Sequence, residues 1–197
     1  GYPVDAQYYL NDMGRQIAIV AWGVKNLHYE RTAGEKGDEF IVRHYVEANR
    51  IAKEKPQIEA EFDLMMEKIE AGDPETVKLF HDAVETCAEG IKETLASMNV
   101  THDRFVRETT FLRDGSMEEV LGMVEALPSA QQEDKMMFLD LSEQGFGNRY
   151  VLRRSNGTSV YAARDLAFHL WKNARCDRSI DILGADHKLI GAQLQTT

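Results

Sequence analysis

Tyr150-Val151-Leu152-Arg153-Arg154-Ser155-Asn156-Gly157-Thr158-Ser159-Val160-Tyr161-Ala162-Ala163-Arg164-Asp165-Leu166-Ala167-Phe168-His169 is the stretch on which the reading of the fold turns. Its first four residues are strand-like and lead into Ser155-Asn156-Gly157-Thr158, where Asn-Gly is a strong tight-turn signal. From Tyr161 to Ala174 the pattern becomes helical, with Leu166, Leu170 and Trp171 expected on the buried side. Ser179-Ile180-Asp181-Ile182-Leu183-Gly184 then reads as a buried parallel strand ending in glycine, and a further helix opens near Asp186. Upstream, Met136 to Leu141 is a short apolar run that adds another strand.

The opening of the chain has the same character. Val4 to Leu10 is strand-like, Asn11-Asp12-Met13-Gly14 is a turn, and Gln16 to Asn26 is an apolar-dense helix of the kind that packs on a sheet. Between these two regions, four amphipathic patterns succeed one another. They run through Phe40 to Ala48, Ile58 to Ile69, about Glu75 to Met98 after Gly72-Asp73-Pro74, and from Ser116 to before Pro128. Strand signal there is confined to a short possibility near Phe105-Val106. The order predicts an α/β protein with a parallel sheet, interrupted by a mostly helical insertion. The expected division is 1–29 and 136–197 for the two parts of that fold and 30–135 for the insertion.

Composition sets the limits on function. The net charge of −10 argues against a dedicated nucleic-acid-binding module. The sign reverses after residue 148, where Arg149, Arg153, Arg154, Arg164, Lys172, Arg175, Arg178 and Lys188 cluster in sequence. No apolar run approaches membrane-spanning length, and no signal peptide opens the chain. Cys87 and Cys176 lack metal-like spacing and read as reduced thiols of a cytoplasmic protein. The histidines show no zinc pattern, so no metal site is expected.

In open parallel sheets, ligands bind at the carboxyl ends of the strands. Asn11 to Gln16, Thr158 to Asp165 and Gly184 to Lys188 fall there on this reading. Tyr161 and Asp165 stand one helical turn apart, and an aromatic ring with a carboxylate on one face suits a guanidinium. The same spacing fits a helix start with a stabilising Asp and a core Tyr, or an Asp165–His169 helical pair. Gly184-Ala185-Asp186-His187 is a glycine-ended strand opening a helix, a feature common at nucleotide sites and equally at plain structural turns. No Walker or Rossmann glycine loop and no nucleophilic triad is present.

Taken in order, these segments resemble the arginyl-tRNA synthetases, a family of class I aminoacyl-tRNA synthetases. The resemblance runs from Gly1-Tyr2-Pro3-Val4 and Tyr8 to Gln16, through Gly72 to Glu75, Gly90 to Thr94 and Phe105 to Glu108. It ends on Arg153 to His169 and Leu183 to Lys188. It implies an incomplete Rossmann-like parallel nucleotide-binding fold interrupted by the helical insertion, in which Tyr161 and Asp165 grip the arginine guanidinium. His187 would lie near arginine and the adenylate, and Asn11, Asp12 and Gln16 would line the pocket or its floor. Gly184 and Asp186 would lie near the ATP ribose. Glu108 resembles a recurring acidic position to which no role is assigned. Ala162 and Ala163 replace bulkier residues of the family pattern, which bears on packing more than on chemistry.

The resemblance further implies a protein-biosynthesis ligase that uses ATP with magnesium, arginine and tRNA(Arg), without a tightly bound cofactor. The family's His-Ile-Gly-His and Lys-Met-Ser-Lys-Ser motifs are expected outside this stretch, so an isolated piece of this extent is expected to be inactive. It is also expected to self-associate through exposed docking surfaces. The alternative is a non-catalytic paralogue or interaction module that retains the fold.

Overall fold

A computed structural model describes residues 1–147, 149–155 and 160–197, with the side chain of Asp186 outside the description. The expected Asn156-Gly157 turn, and the Thr158–Ser159 part of the expected ligand-facing segment, lie outside the described residues. The chain forms two compact units, Gly1–Arg107 and Glu108–Thr197. The expected boundaries at 29/30 and 135/136 fall inside these units.

The first unit opens with β1 (Gln7–Leu10), followed by α1 (Arg15–Leu27), α2 (Gly37–Glu54), α3 (Ile58–Glu70) and α4 (Pro74–Ser97), and ends on β2 (Arg104–Arg107). β1 and β2 pair in parallel, Gln7 with Arg104 through Leu10 with Arg107. All four helices therefore lie in the connection between two adjacent parallel strands, which need a long crossover in any case. Asp73 caps α4 by accepting from the Thr76 backbone N–H at 2.9 Å, with Pro74 in the first helical position.

The helix after the first turn departs from expectation. α1 buries six consecutive residues, Ala18 to Gly23, so it is covered on more than one side. Ala18, Ile19 and Trp22 pack with Ala48, Phe62 and Phe80, while Val20 packs with Ile41 and Ala83. Its apolar density thus reflects a central position among helices rather than one layer on a sheet. α2 and α4 meet backbone to backbone. A Cβ on Gly37 would lie 1.9 Å from the Thr86 carbonyl oxygen, and one on Gly90 would lie 2.4 Å from the Asp38 nitrogen.

The second unit comprises α5 (Glu108–Arg113), α6 (Ser116–Glu125), β3 (Ala130–Glu133), β4 (Met136–Leu139), β5 (Tyr150–Arg153), α7 (Tyr161–Asn173) and α8 (Lys188–Thr196). β3, β4 and β5 form an antiparallel sheet, not the parallel arrangement expected for the Met136 and Tyr150 strands. The cause is local: β3 and β4 are joined by a tight hairpin with Asp134 at φ 53°, and a connection this short permits only antiparallel pairing. α7 buries Ala163, Arg164, Ala167 and Phe168 and leaves Leu170 exposed, so its inner stripe is displaced from the expected Leu166–Leu170–Trp171 face.

The expected parallel strand at Ser179–Gly184 is not formed. The segment is irregular, and Ile182 is 94 % exposed. A strand exists only with a partner for its backbone groups, and no described strand pairs with this one.

Candidate substrate-binding site

The site is built where β5 hands over to α7. Tyr150 and Leu152 are buried while Val151 and Arg153 are partly exposed, the alternation of a strand with one covered face. The Val160 N–H donates to the Leu152 carbonyl at 3.1 Å and so ties the entrance of α7 to β5. One turn into the helix, the chain presents Arg164 and Asp165 side by side, and they have opposite fates.

Arg164 is buried and committed. Its Nε donates to Glu108 Oε1, the side chains being 4 % and 3 % exposed. Its guanidinium carbon also lies 5.1 Å from the Tyr161 ring centroid. This gives Glu108 the role that its sequence context left unassigned: it anchors α5 to α7.

Asp165 is partly buried, and its carboxylate makes no hydrogen bond or ion pair among the described residues. Burial pushes its pKa above the ordinary carboxylate value, against the opposing pull of His169, Arg164 and His187, and Asp181 pushes it in the same direction as burial. The Asp165–His169 helical pair suggested by spacing is formed differently. The His169 ring Nδ1 bonds the Asp165 backbone carbonyl at 2.7 Å, not its carboxylate. His169 Nε2 lies 3.3 Å from Asp181 Oδ2, and Lys172 donates to the other oxygen of the same carboxylate. Asp181, which sequence reasoning assigned to a strand, thus pins the irregular segment onto α7.

Tyr161 stands at the first position of α7 and is 44 % exposed. His187 ends a short 3-10 turn, Ala185–His187, before α8, and lies near enough to influence Asp165 electrostatically. Gly184 precedes that turn in an extended conformation. The second unit therefore brings Tyr161, Asp165 and His187 into one neighbourhood.

Asn11, Asp12 and Gln16 belong to the first unit. Asn11 Oδ1 accepts weakly from the Met13 N–H at 3.4 Å, which favours the cap-and-turn reading for that side chain. Asp12 is buried and lies 3.8 Å from Arg107 Nη1. Gln16 is exposed on the first turn of α1.

Sequence reasoning missed Tyr150. It is 4 % exposed, and its hydroxyl has no hydrogen-bond partner among the described residues. Burial and the neighbouring Asp165 charge push its pKa well above the usual phenol range, so the phenol is neutral. The signal in the sequence was its place at the start of a strand, which does not distinguish it from an ordinary core tyrosine.

The family model described as "tRNA synthetases class I (R), catalytic domain" matches residues 1–189. The chain belongs to that family. The arginine–tRNA ligase of Methanocorpusculum labreanum is 81 % identical over 197 residues, covering all of this chain and 35 % of the relative. That of Methanoregula boonei is 55 % identical with the same coverage. The chain thus spans about a third of the length of the curated relatives it matches. Among solved structures, the Thermus thermophilus arginyl-tRNA synthetase is similar with a TM-score of 0.64 and 26 % identity, over 86 % of this chain and 29 % of that one. The Plasmodium falciparum arginyl-tRNA synthetase shares the fold with a TM-score of 0.74 at 13 % identity, over 98 % of this chain and 32 % of that one.

Among the described residues, no group of three or more His, Cys, Asp or Glu could hold a metal ion, and no helix is long and apolar enough to cross a membrane. Both cysteines are free thiols.

Proposed function

We propose that this chain is part of a cytoplasmic arginine–tRNA ligase and supplies the site for the arginine side chain. In the whole enzyme, the arginine carboxylate attacks the α-phosphate of ATP. A carboxyl–phosphate bond forms, the α–β anhydride breaks and pyrophosphate leaves. The terminal ribose hydroxyl of tRNA(Arg) then takes the arginyl group and AMP leaves. Such a reaction rests on positioning and on stabilising phosphate charge, with no covalent enzyme intermediate.

The observation that carries this reading is the Asp165 carboxylate, partly buried and without a hydrogen-bonded or ion-paired partner among the described residues. Leaving such a group unpaired is unfavourable, and a planar guanidinium offers it two parallel N–H donors. Tyr161, one turn earlier, offers a ring face or a hydroxyl to the same cation. His187 is proposed near arginine and the adenylate, Asn11 and Gln16 as further arginine contacts, and Gly184 and Asp186 near the ATP ribose. Asp12 is proposed to support the Asn11–Gln16 segment. Magnesium would arrive with the ATP phosphates.

In the same proposal, residues 1–29 and 136–197 are two parts of the nucleotide fold and 30–135 the insertion. Self-association through the apolar segment around Ile180 and Ile182 is proposed for this stretch alone. A monomer mass that does not change with concentration would reject it.

The test is arginine-dependent ATP–pyrophosphate exchange in the presence of tRNA(Arg), and tRNA charging, by the full-length enzyme and its Asp165→Ala variant. Removing the carboxylate is expected to weaken transition-state binding by about 2–5 kcal/mol, as for other truncated buried charge pairs. Normal charging by the folded variant would remove Asp165 from the site. No charging by the intact wild type would favour a non-catalytic module.

A further inference from the structure

We propose that Tyr150 is a positioning residue for Asp165, its phenol O–H being the donor that the carboxylate takes up when a guanidinium binds. The proposal rests on the reading of Asp165 as the guanidinium acceptor.

The geometry follows from one hydrogen bond and two repeats. The Val160 N–H on the Leu152 carbonyl fixes the entrance of α7 beside Leu152, two residues beyond Tyr150 on the same covered face of β5. Two strand residues span roughly 7 Å. α7 packs along β5, and the five residues from Val160 to Asp165 rise by roughly 7–8 Å in a helix. Tyr150 and Asp165 therefore stand at the same level on neighbouring elements. The influence of the Asp165 charge on the Tyr150 phenol agrees with that placement.

Both groups are chemically incomplete without ligand. The Tyr150 hydroxyl is buried with no partner among the described residues, a condition rare in folded proteins and unfavourable where it occurs. The titratable and charged groups that influence Asp165 are Arg164 and His169 on α7, Asp181 from the segment that follows and His187 before α8. Arg164 is committed to Glu108, and the His169 ring to the Asp165 carbonyl and Asp181. The phenol is a neutral donor close enough to feel the charge of a carboxylate that has no donor among the described residues. A bound guanidinium requires the ionised carboxylate, and an O–H donated from behind favours that form and fixes its orientation. The phenol thus acts through Asp165, without touching the substrate.

The experiment compares wild-type, Tyr150→Phe and Asp165→Asn full-length enzymes in arginine-dependent pyrophosphate exchange with saturating tRNA(Arg) present, from about pH 5 to about pH 9. A hydrogen bond to a charged group is worth about tenfold or more in affinity, so Tyr150→Phe is expected to raise the KM for arginine about tenfold with the KM for ATP unchanged. The acid limb of kcat, which reports the arginine-bound enzyme, should move to higher pH, because the bound carboxylate loses a donor that favoured its charged form. The ligand-free Tyr150→Phe protein should melt at the same temperature or higher, since an unpaired hydroxyl has been removed. A merely structural tyrosine would lower the melting temperature and raise both KM values together, and that result overturns the proposal. An unmoved arginine KM and acid limb in Tyr150→Phe, with arginine lost in Asp165→Asn, overturns it while leaving the guanidinium reading intact. Normal arginine use by Asp165→Asn removes that reading, and the role of Tyr150 falls with it.

Discussion

Arg164 and Asp165 are neighbours on one helix, and the fold spends them in opposite ways. Breaking the buried Glu108–Arg164 pair leaves one charge without its partner, so Glu108→Ala is expected to destabilise the protein by about 3–5 kcal/mol in chemical denaturation. The double replacement Glu108→Leu with Arg164→Met should recover much of that loss, since it removes both charges. Asp165 behaves in reverse. Its pKa is raised on folding, so the folded state holds its proton more tightly than the unfolded chain does. The favourable contribution is complete below the unfolded carboxylate pKa and is lost as pH rises through the folded one. At neutral pH the ionised side chain therefore opposes folding. Without arginine, Asp165→Asn should raise the melting temperature at neutral pH, and the difference should shrink as pH falls into the carboxylate range. A lower melting temperature at neutral pH would contradict this. Asp165 was legible in the sequence because a helix places residues four apart on one face. Tyr150 was not, because its orphaned hydroxyl depends on the return of α7 along β5, which no local pattern encodes.

Glycines give the sharpest contrast among the elements. Gly90 lies inside α4, where alanine would ordinarily favour the helix by about 1 kcal/mol. Here its missing Cβ admits the backbone of Asp38, so Gly90→Ala is expected to cost about 1–3 kcal/mol through overpacking. Gly122 in α6 has nothing within 4 Å of its Cβ position, and Gly122→Ala should stabilise by about 0.4–1 kcal/mol. Melting curves of the two variants should shift in opposite directions. Helices were legible from their periodicity and caps, Asp73-Pro74 most clearly. What each helix packs against was not: the apolar run of α1 is compatible with a sheet or with a bundle, and the bundle holds it. For Ser179–Gly184, a strand-like pattern met no partner strand, because pairing is a property of two segments and only one of them can be read at a time.

For the molecule as a whole, the two compact units cut across the sequence-derived division because α1 was assigned by its neighbour in sequence and packs with the helices that follow. The exposed apolar segment makes its own prediction. Ile182 is nearly fully exposed, so Ile182→Asp should change the stability of this stretch by no more than about 0.5 kcal/mol, whereas a buried isoleucine could not tolerate a charge. A larger loss would mean that the side chain is covered in solution.

The parallel pair β1–β2 has one more implication. Just outside the paired strands, the Asp103 N–H donates to the Ala6 carbonyl at 2.7 Å, and the Asp103 carboxylate accepts from the Ala6 N–H at 2.7 Å. The two ends of everything between residues 11 and 103 are thereby clamped about one strand spacing apart, roughly 4.8 Å. A block whose entrance and exit share one doorway is a cassette. Its two ends stay together whatever the length of the turns between its helices, while Leu10 still needs Val84 and Ala88 of α4 to cover it.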